Sequence, residues 1–201
     1  RYEEKRFSRG GRLIDRREKA AVLDGLGRLD GRSVLEVACG TGRFTTLLAE
    51  RGADATGLDI SAAMLARGRE KARQAGVRDR VEFLRGDAAR LPFPDDSFDI
   101  ASSEWVYQMV EDLDGAFREV HRVLRDGGVF VLSVPHPVRE AVDLDAETFD
   151  RGYHDTGRRE VTIDDDYDAD LVVFDRTVAD LHNALVDAGF AVRRLLEPRD
   201  H

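Results

Sequence analysis

Residues 34–49 read VLEVACGTGRFTTLLA, an apolar, β-branched run that stops at the small-residue turn ACGTG and passes at once into a helical pattern. A buried strand that enters a helix through a glycine turn is the opening unit of a doubly wound α/β domain. At such a turn the bare backbone comes close to a ligand, with helix-start amides beside it. The turn therefore predicts both a fold and a cofactor site, and its neighbours decide which cofactor.

Downstream the alternation of strand and helix continues. SVLEVA (33–38) is the first buried strand, and the helix after the turn spans 43–51 with Gly52 at its stop. ADATGLD (53–59) reads as a second strand, and Ser61 as the N-cap of a helix over 62–75 that Gly76 ends. VEFLRGD (81–87) and FDIASS (98–103) are the third and fourth strands. Leu113, Phe117, Val120 and Leu124 form one apolar stripe on a helix over 113–125. Asp126-Gly127-Gly128 is predicted to turn the chain into a fifth strand, VFVLSV (129–134), which Pro135-His136-Pro137 stops.

Upstream, Leu13, Ile14, Ala20, Leu23 and Leu26 predict a helix over 12–29 that Asp30-Gly31 breaks. Near the end, a helix over 177–188 with Val178, Leu181 and Leu185 inward precedes FAVRRLLE (190–197), a predicted sixth strand. Between them DLVVFD reads as a short strand. The expected architecture is α/β, a doubly wound, mostly parallel, Rossmann-like sheet with helices on both faces. It forms a single domain over 1–201, with an N-terminal helical cap over about 1–29 and an acidic insertion over about 138–170 that covers the site.

Composition narrows the function classes. The 201 residues are 42% hydrophobic, enough for a substantial core, and the apolar runs are too short to span a bilayer. No charged-then-apolar leader is evident, and the single Cys39 excludes a disulfide framework and a cysteine-based zinc site, so a cytoplasmic protein is expected. The formal net charge of −9 argues against nucleic acid as a partner. No cluster has metal-ligand spacing, so no metal is expected. The pattern specifies no oligomeric state.

Gly40 and Gly42 let the backbone approach a ligand, with amides expected to be free at the helix start. A phosphate-cradling loop needs Lys-Ser/Thr after its last glycine, and Arg43-Phe44 stands there instead. A dinucleotide fingerprint needs a third glycine at position 45, which is Thr45, and leaves Glu36 inside the preceding strand unexplained. A carboxylate there repels a pyrophosphate and suits a ligand carrying an ammonium group. Asp59, at the end of the second strand, suits the hydroxyls of a ribose. Asp87, at the end of the third, suits the exocyclic amine of an adenine. Leu91, Pro92 and Phe93 are expected to form an apolar flank beside it.

VLEVACGTGRFTTLLAERGADATGLDIS, VEFLRGDAARLPFPDDSFDIASSEWVYQMVEDL and AFREVHRVLRDGGVFVLSVPHP, in that order, resemble successive motifs of the class I S-adenosylmethionine-dependent methyltransferases. The similarity is to the small-molecule branch that includes ubiquinone/menaquinone-type enzymes, and it covers about residues 30–137. The resemblance implies S-adenosylmethionine as cofactor, with Glu36, Ala38, Gly40 and Gly42 around its methionine part. It places Asp59, Ile60 and Met64 at the ribose and adenine, and Asp87 and Ala88 at the adenine edge. Ser103, Glu104 and Trp105 would face the sulfonium and a small-molecule substrate. Ala38 stands where the family most often has glycine, and the family's antiparallel seventh strand has no counterpart before His201. Asp175 stands where relatives of the tail motif often have His.

Methyl transfer from a sulfonium by in-line displacement needs alignment more than acid–base help, so no fixed catalytic residue is implied. His136, at the rim beyond the fifth strand, is the candidate base or substrate contact. Tyr107, Tyr153 and His154 are weaker candidates for that role, since loop aromatics can simply close a lid, and Tyr2 and Phe7 are candidates for an N-terminal cap. Cys39 reads as a small packed residue rather than a nucleophile, and His121 and His182 as packing or surface residues. Two alternatives are a nicotinamide-dependent oxidoreductase and a non-catalytic S-adenosylmethionine-binding regulatory module.

Overall fold

The computed structural model of the protein describes residues 9–140, 142–143, 148–149, 151–161 and 171–197. Tyr2, Phe7 and the acidic run DDDYDAD (164–170) lie outside the described residues.

Five parallel strands form one sheet in the order β3-β2-β1-β4-β5. They are β1 (Ser33–Val37), β2 (Asp54–Asp59), β3 (Val81–Arg85), β4 (Phe98–Glu104) and β5 (Leu124–Ser133). The chain runs outward from β1 to β3, then crosses back to β4. The carboxyl ends of β1 and β4 therefore flank the switch point where such sheets bind ligands.

Pleating divides the side chains of β1 between two cores. Val34 and Glu36 face one side, Leu35 and Val37 the other. On the first side lie α1 (Arg9–Leu26) and α2 (Arg43–Glu50), whose Val22, Leu26, Phe44 and Leu48 bury Val34, Ala55 and Ile100. Leu65 and Ala72 of α3 (Ala62–Gln74) cover Phe83 on the same side. Leu35, Val37 and Ala101 face the second core, with Phe117 and Val120 of α4 (Leu113–Val123) and Ala184 from the helix near the chain's end. Val34, Leu35 and Val37 are each completely buried, and each such side chain contributes about 1.5–3 kcal/mol relative to exposure.

Several boundaries differ from the sequence expectations for local reasons. Gly27, at φ 70°, ends α1 before Asp30-Gly31 by returning its amide to the Leu23 carbonyl. Asp126-Gly127-Gly128 does not precede β5 but lies within it: Leu124 pairs with Phe98, and the next pair is Val129 with Ile100, so the glycines form a bulge. In the stretch expected to be irregular, α5 (Pro137–Glu140) is followed by β6 (Val142–Asp143) and β7 (Thr148–Phe149), an antiparallel pair. β8 (Gly157–Val161) then pairs antiparallel with β9 (Leu171–Asp175), the expected short strand. α6 (Val178–Asp187) starts at a capping box of Thr177 and Asp180.

The expected sixth strand is not formed. Residues 191–197 have no ladder partner among the described residues, and Leu195 and Leu196 are 68% and 52% exposed. Just before this segment, the Phe190 ring packs on His121 and on Phe130 of β5, at 5.1 and 5.4 Å between centroids.

Candidate cofactor site at the carboxyl ends of the strands

After Val37 the backbone enters the left-handed region at Ala38 (φ 59°), Gly40 (φ 54°) and Gly42 (φ 64°), which rolls the turn over the end of β1. The two glycines do different work. A Cβ on Gly40 would meet nothing within 4 Å, so this is the face left open to a ligand. A Cβ on Gly42 would lie 2.4 Å from the Phe83 ring and 3.1 Å from the Gly68 backbone, so Gly42 lets α2 close on α3 and β3. The turn's amides are not all free, contrary to expectation. The Gly40 N–H donates to Asp59 Oδ2 at 2.8 Å and the Gly42 N–H to the Cys39 carbonyl at 2.9 Å.

Asp59 also accepts the Ser61 N–H at 2.8 Å, so one carboxylate ties the end of β2 to the turn and to the start of α3. Beside it Ile60 is 67% exposed at the rim, and the half-buried Met64 sits in the first turn of α3, its N–H donating to Ser61 Oγ at 3.3 Å. Asp87 is exposed at the end of β3, with Oδ1 accepting the Ala89 N–H at 2.9 Å, and Ala88 beside it is half-buried. Of the expected apolar flank, Leu91 is buried in the α4 core, Pro92 is exposed, and Phe93 lies edge-on to Phe98 at 5.0 Å. Arg122 holds this loop against α4, donating to the Phe93 carbonyl at 2.8 Å and the Leu91 carbonyl at 3.0 Å.

The end of β4 completes the site. Ser103, fully buried, donates its hydroxyl to the Val37 carbonyl at 3.0 Å and joins β4 to β1. Glu104 follows, then Trp105 at φ 61°, a backbone conformation costly for a bulky residue. Glu36 pairs in register with Ser102, so Glu36, Ser102 and Glu104 share the α1–α2 face of the sheet. Glu36 is 4% exposed and accepts the Thr45 hydroxyl. Both oxygens of Glu104 and the hydroxyl of Ser102 are buried without a partner. Burial raises the pKa of both carboxyl groups above the ordinary carboxylate range, and for Glu104 the charges of Glu36 and Glu18 add to it.

Orphaned acceptors near the end of β4, on the strand that neighbours β1 and its open glycine turn, call for a cation with N–H donors. The residues present therefore fit the amino-acid and sulfonium part of S-adenosylmethionine, and they do not fit a pyrophosphate.

Other candidates fall elsewhere. His136 is exposed beyond β5, with Nε2 3.0 Å from Glu197 Oε1 and Nδ1 accepting the Val138 N–H. Tyr107 is not a lid residue: it is fully buried against Phe117, at 4.7 Å between ring centroids. Tyr153 packs edge-on to His154, and its hydroxyl accepts the Val178 N–H at 3.0 Å. Asp175 is held by Arg151 at 2.9 Å and Arg159 at 2.7 Å. Cys39 is buried, and burial pushes its thiol pKa far up, as for a packed residue. Among the described residues no group of His, Cys, Asp or Glu is arranged to hold a metal, and no helix is long and apolar enough to cross a membrane.

Sequence reasoning missed Glu18 and Ser133. Glu18 of α1 accepts from both the Trp105 indole N–H and the Ser133 hydroxyl, linking the N-terminal helix to the ends of β4 and β5. The signal was present: Ile14, Glu18, Val22 and Leu26 recur at four-residue spacing, which puts an acid in an apolar stripe.

Residues 35–132 match the family described as a methyltransferase domain. The chain is 38% identical over 143 residues to the ubiquinone/menaquinone biosynthesis C-methyltransferase UbiE of Escherichia coli, covering 68% of this chain and 57% of that protein. It thus spans little more than half the length of the curated relatives it matches. A crystal structure of an S-adenosylmethionine-dependent methyltransferase from Mesorhizobium loti is 35% identical, with a TM-score of 0.75 over 89% of this chain and 82% of that one. A second such structure, of a putative enzyme from Listeria monocytogenes, shares the fold, with a TM-score of 0.78 at 23% identity over 92% and 88% of the two chains.

Proposed function

The chain belongs to the S-adenosylmethionine-dependent methyltransferases, and on that premise we propose that it transfers a methyl group to a small-molecule acceptor by in-line displacement. The observation that carries this proposal is the open face of Gly40 set among Glu36, Asp59, Asp87 and Glu104, carboxylates at or near four adjacent strand ends. A nicotinamide dinucleotide would bring a pyrophosphate into that negative field. The unpartnered Glu104 and Ser102 support a cationic ligand instead.

Glu36, Ala38, Gly40 and Glu104 would hold the methionine part, Asp59, Ile60 and Met64 the ribose and adenine, and Asp87 and Ala88 the adenine edge. When bound, the cofactor supplies a methyl group already activated on sulfonium. The chain's part is then to bind, orient and exclude water, since proximity and alignment can account for much of the rate. Ser103 and Gly42 act by holding the strands and helices that carry these residues. His136, at the exposed rim, is the proposed substrate contact or base.

We assign the N-terminal helix as a cap on one side of the site, and keep as a proposal a cover over about 138–170, of which 141, 144–147, 150 and 162–170 lie outside the described residues. Glu18 reaching Trp105 and Ser133 supports the cap. A cytoplasmic setting without nucleic acid as partner is part of the same proposal, supported by the formal net charge of −9.

Calorimetry with S-adenosylmethionine, its demethylated product and NAD tests the cofactor. Binding of NAD without binding of the sulfonium overturns the proposal. A labelled-methyl screen over small metabolites then tests the transfer. Carbon acceptors come first, because the relative from Escherichia coli is a C-methyltransferase.

A further inference from the structure

Glu104 is the polar group of the site with the least support from the protein. Both its oxygens are buried and accept nothing, although it sits beside Glu36 on the same face of the sheet. Ser102 is the independent sign that a ligand belongs here: it is completely buried, stands in register with Glu36, and its hydroxyl has no partner. We infer that Glu36 and Glu104 form one cation-binding unit that holds a single proton between its carboxyl groups in the free protein and releases it when the cationic cofactor binds. This inference rests on the cofactor assignment above.

Two adjacent carboxyl groups withdrawn from water do not both ionise, because each charge raises the cost of the other. The groups that face the pair make this stronger. From α1, Glu18 adds a third negative charge close to Glu104. From α2, Thr45 donates to Glu36, and Arg43 is the cation that acts on both carboxyls. Cys39 and Asp59 lie on the turn side, where Cys39 feels the charges of Glu36 and Asp59. Tyr107, after β4, feels Glu104, and both groups are buried. Arg43 leaves this assembly short of positive charge. A shared proton fills the gap in the free protein, and the ammonium and sulfonium of the cofactor fill it in the complex. The balance is one proton lost to buffer for each cofactor bound, with both carboxylates ionised afterwards.

The test is calorimetric titration of the wild-type protein with S-adenosylmethionine in two buffers of different ionisation enthalpy, at several values of pH. We expect release of about one proton per cofactor, with affinity rising about tenfold per pH unit below the titration of the pair. In Glu104→Gln the release disappears and the pH dependence flattens. Infrared spectroscopy of the free protein supplies a readout that needs no cofactor: a protonated-carboxyl band at neutral pH that Glu104→Gln removes. Binding without proton release, or no such band, overturns the inference and leaves the cofactor assignment standing. A wild-type protein that does not bind S-adenosylmethionine in either buffer overturns the cofactor assignment, and the inference with it.

Discussion

Gly40 and Gly42 look equivalent in the motif, yet they separate cleanly when each is given a methyl group. Gly42→Ala forces a Cβ into the Phe83 ring in a left-handed backbone, and we expect a stability loss of about 2 kcal/mol or more in urea unfolding. Gly40→Ala has open space around it and should cost only about 1 kcal/mol, but it fills the ligand face and should weaken S-adenosylmethionine binding at least about tenfold. If both variants lose stability equally, the two glycines share one structural role. Asp59→Ala removes the acceptor for the Gly40 and Ser61 amides together. Hydrogen bonds to a charged group contribute about 1.5–3 kcal/mol, so cofactor affinity should fall about ten- to a hundredfold in calorimetry.

At the level of elements, the amino ends of the central strands are tied by Asp99. Its Oδ2 accepts both the N–H and the hydroxyl of Ser33 at 2.9 Å, and Arg125, from the bulge in β5, approaches Oδ1 at 3.1 Å. The Ser33 amide is the main cause that lowers the Asp99 carboxyl to about 2. A depressed carboxyl stabilises the fold above its unfolded value, and that contribution is lost as pH falls through the range from about 4 to about 2. In acid unfolding, Asp99→Asn should therefore show a shallower loss of stability over this window. The capping box of α6 gives a second expectation: Thr177→Ala should lower stability by about 1 kcal/mol.

For the whole molecule, the Glu36–Glu104 pair imposes the opposite sign of pH dependence. Carboxyl groups raised in the fold bind more protons folded than unfolded, so the free protein loses stability as pH rises from the ordinary carboxylate range through their raised values. Thermal unfolding of the free protein should give a lower midpoint at pH 8.5 than at pH 6, by an amount that Glu104→Gln reduces. Added S-adenosylmethionine should raise the midpoint most at the higher pH, where the pair needs a cation most.

The five parallel strands, their alternation with helices and the positions of Glu36, Asp59 and Asp87 at or near strand ends were legible in the sequence, whereas the expected sixth strand was not borne out. Apolar periodicity and glycine stops are local signals, and strand ends follow from them. What the tertiary structure alone decided was the company those residues keep. That Gly42 faces Phe83, that Leu91 turns into the α4 core under Arg122, and that Phe190 packs on His121 and Phe130 depend on partners far along the chain. The meeting of Glu18, Glu36 and Glu104 is of the same kind. Each lies on a different element, and only packing removes the water that would otherwise have let their charges ignore one another.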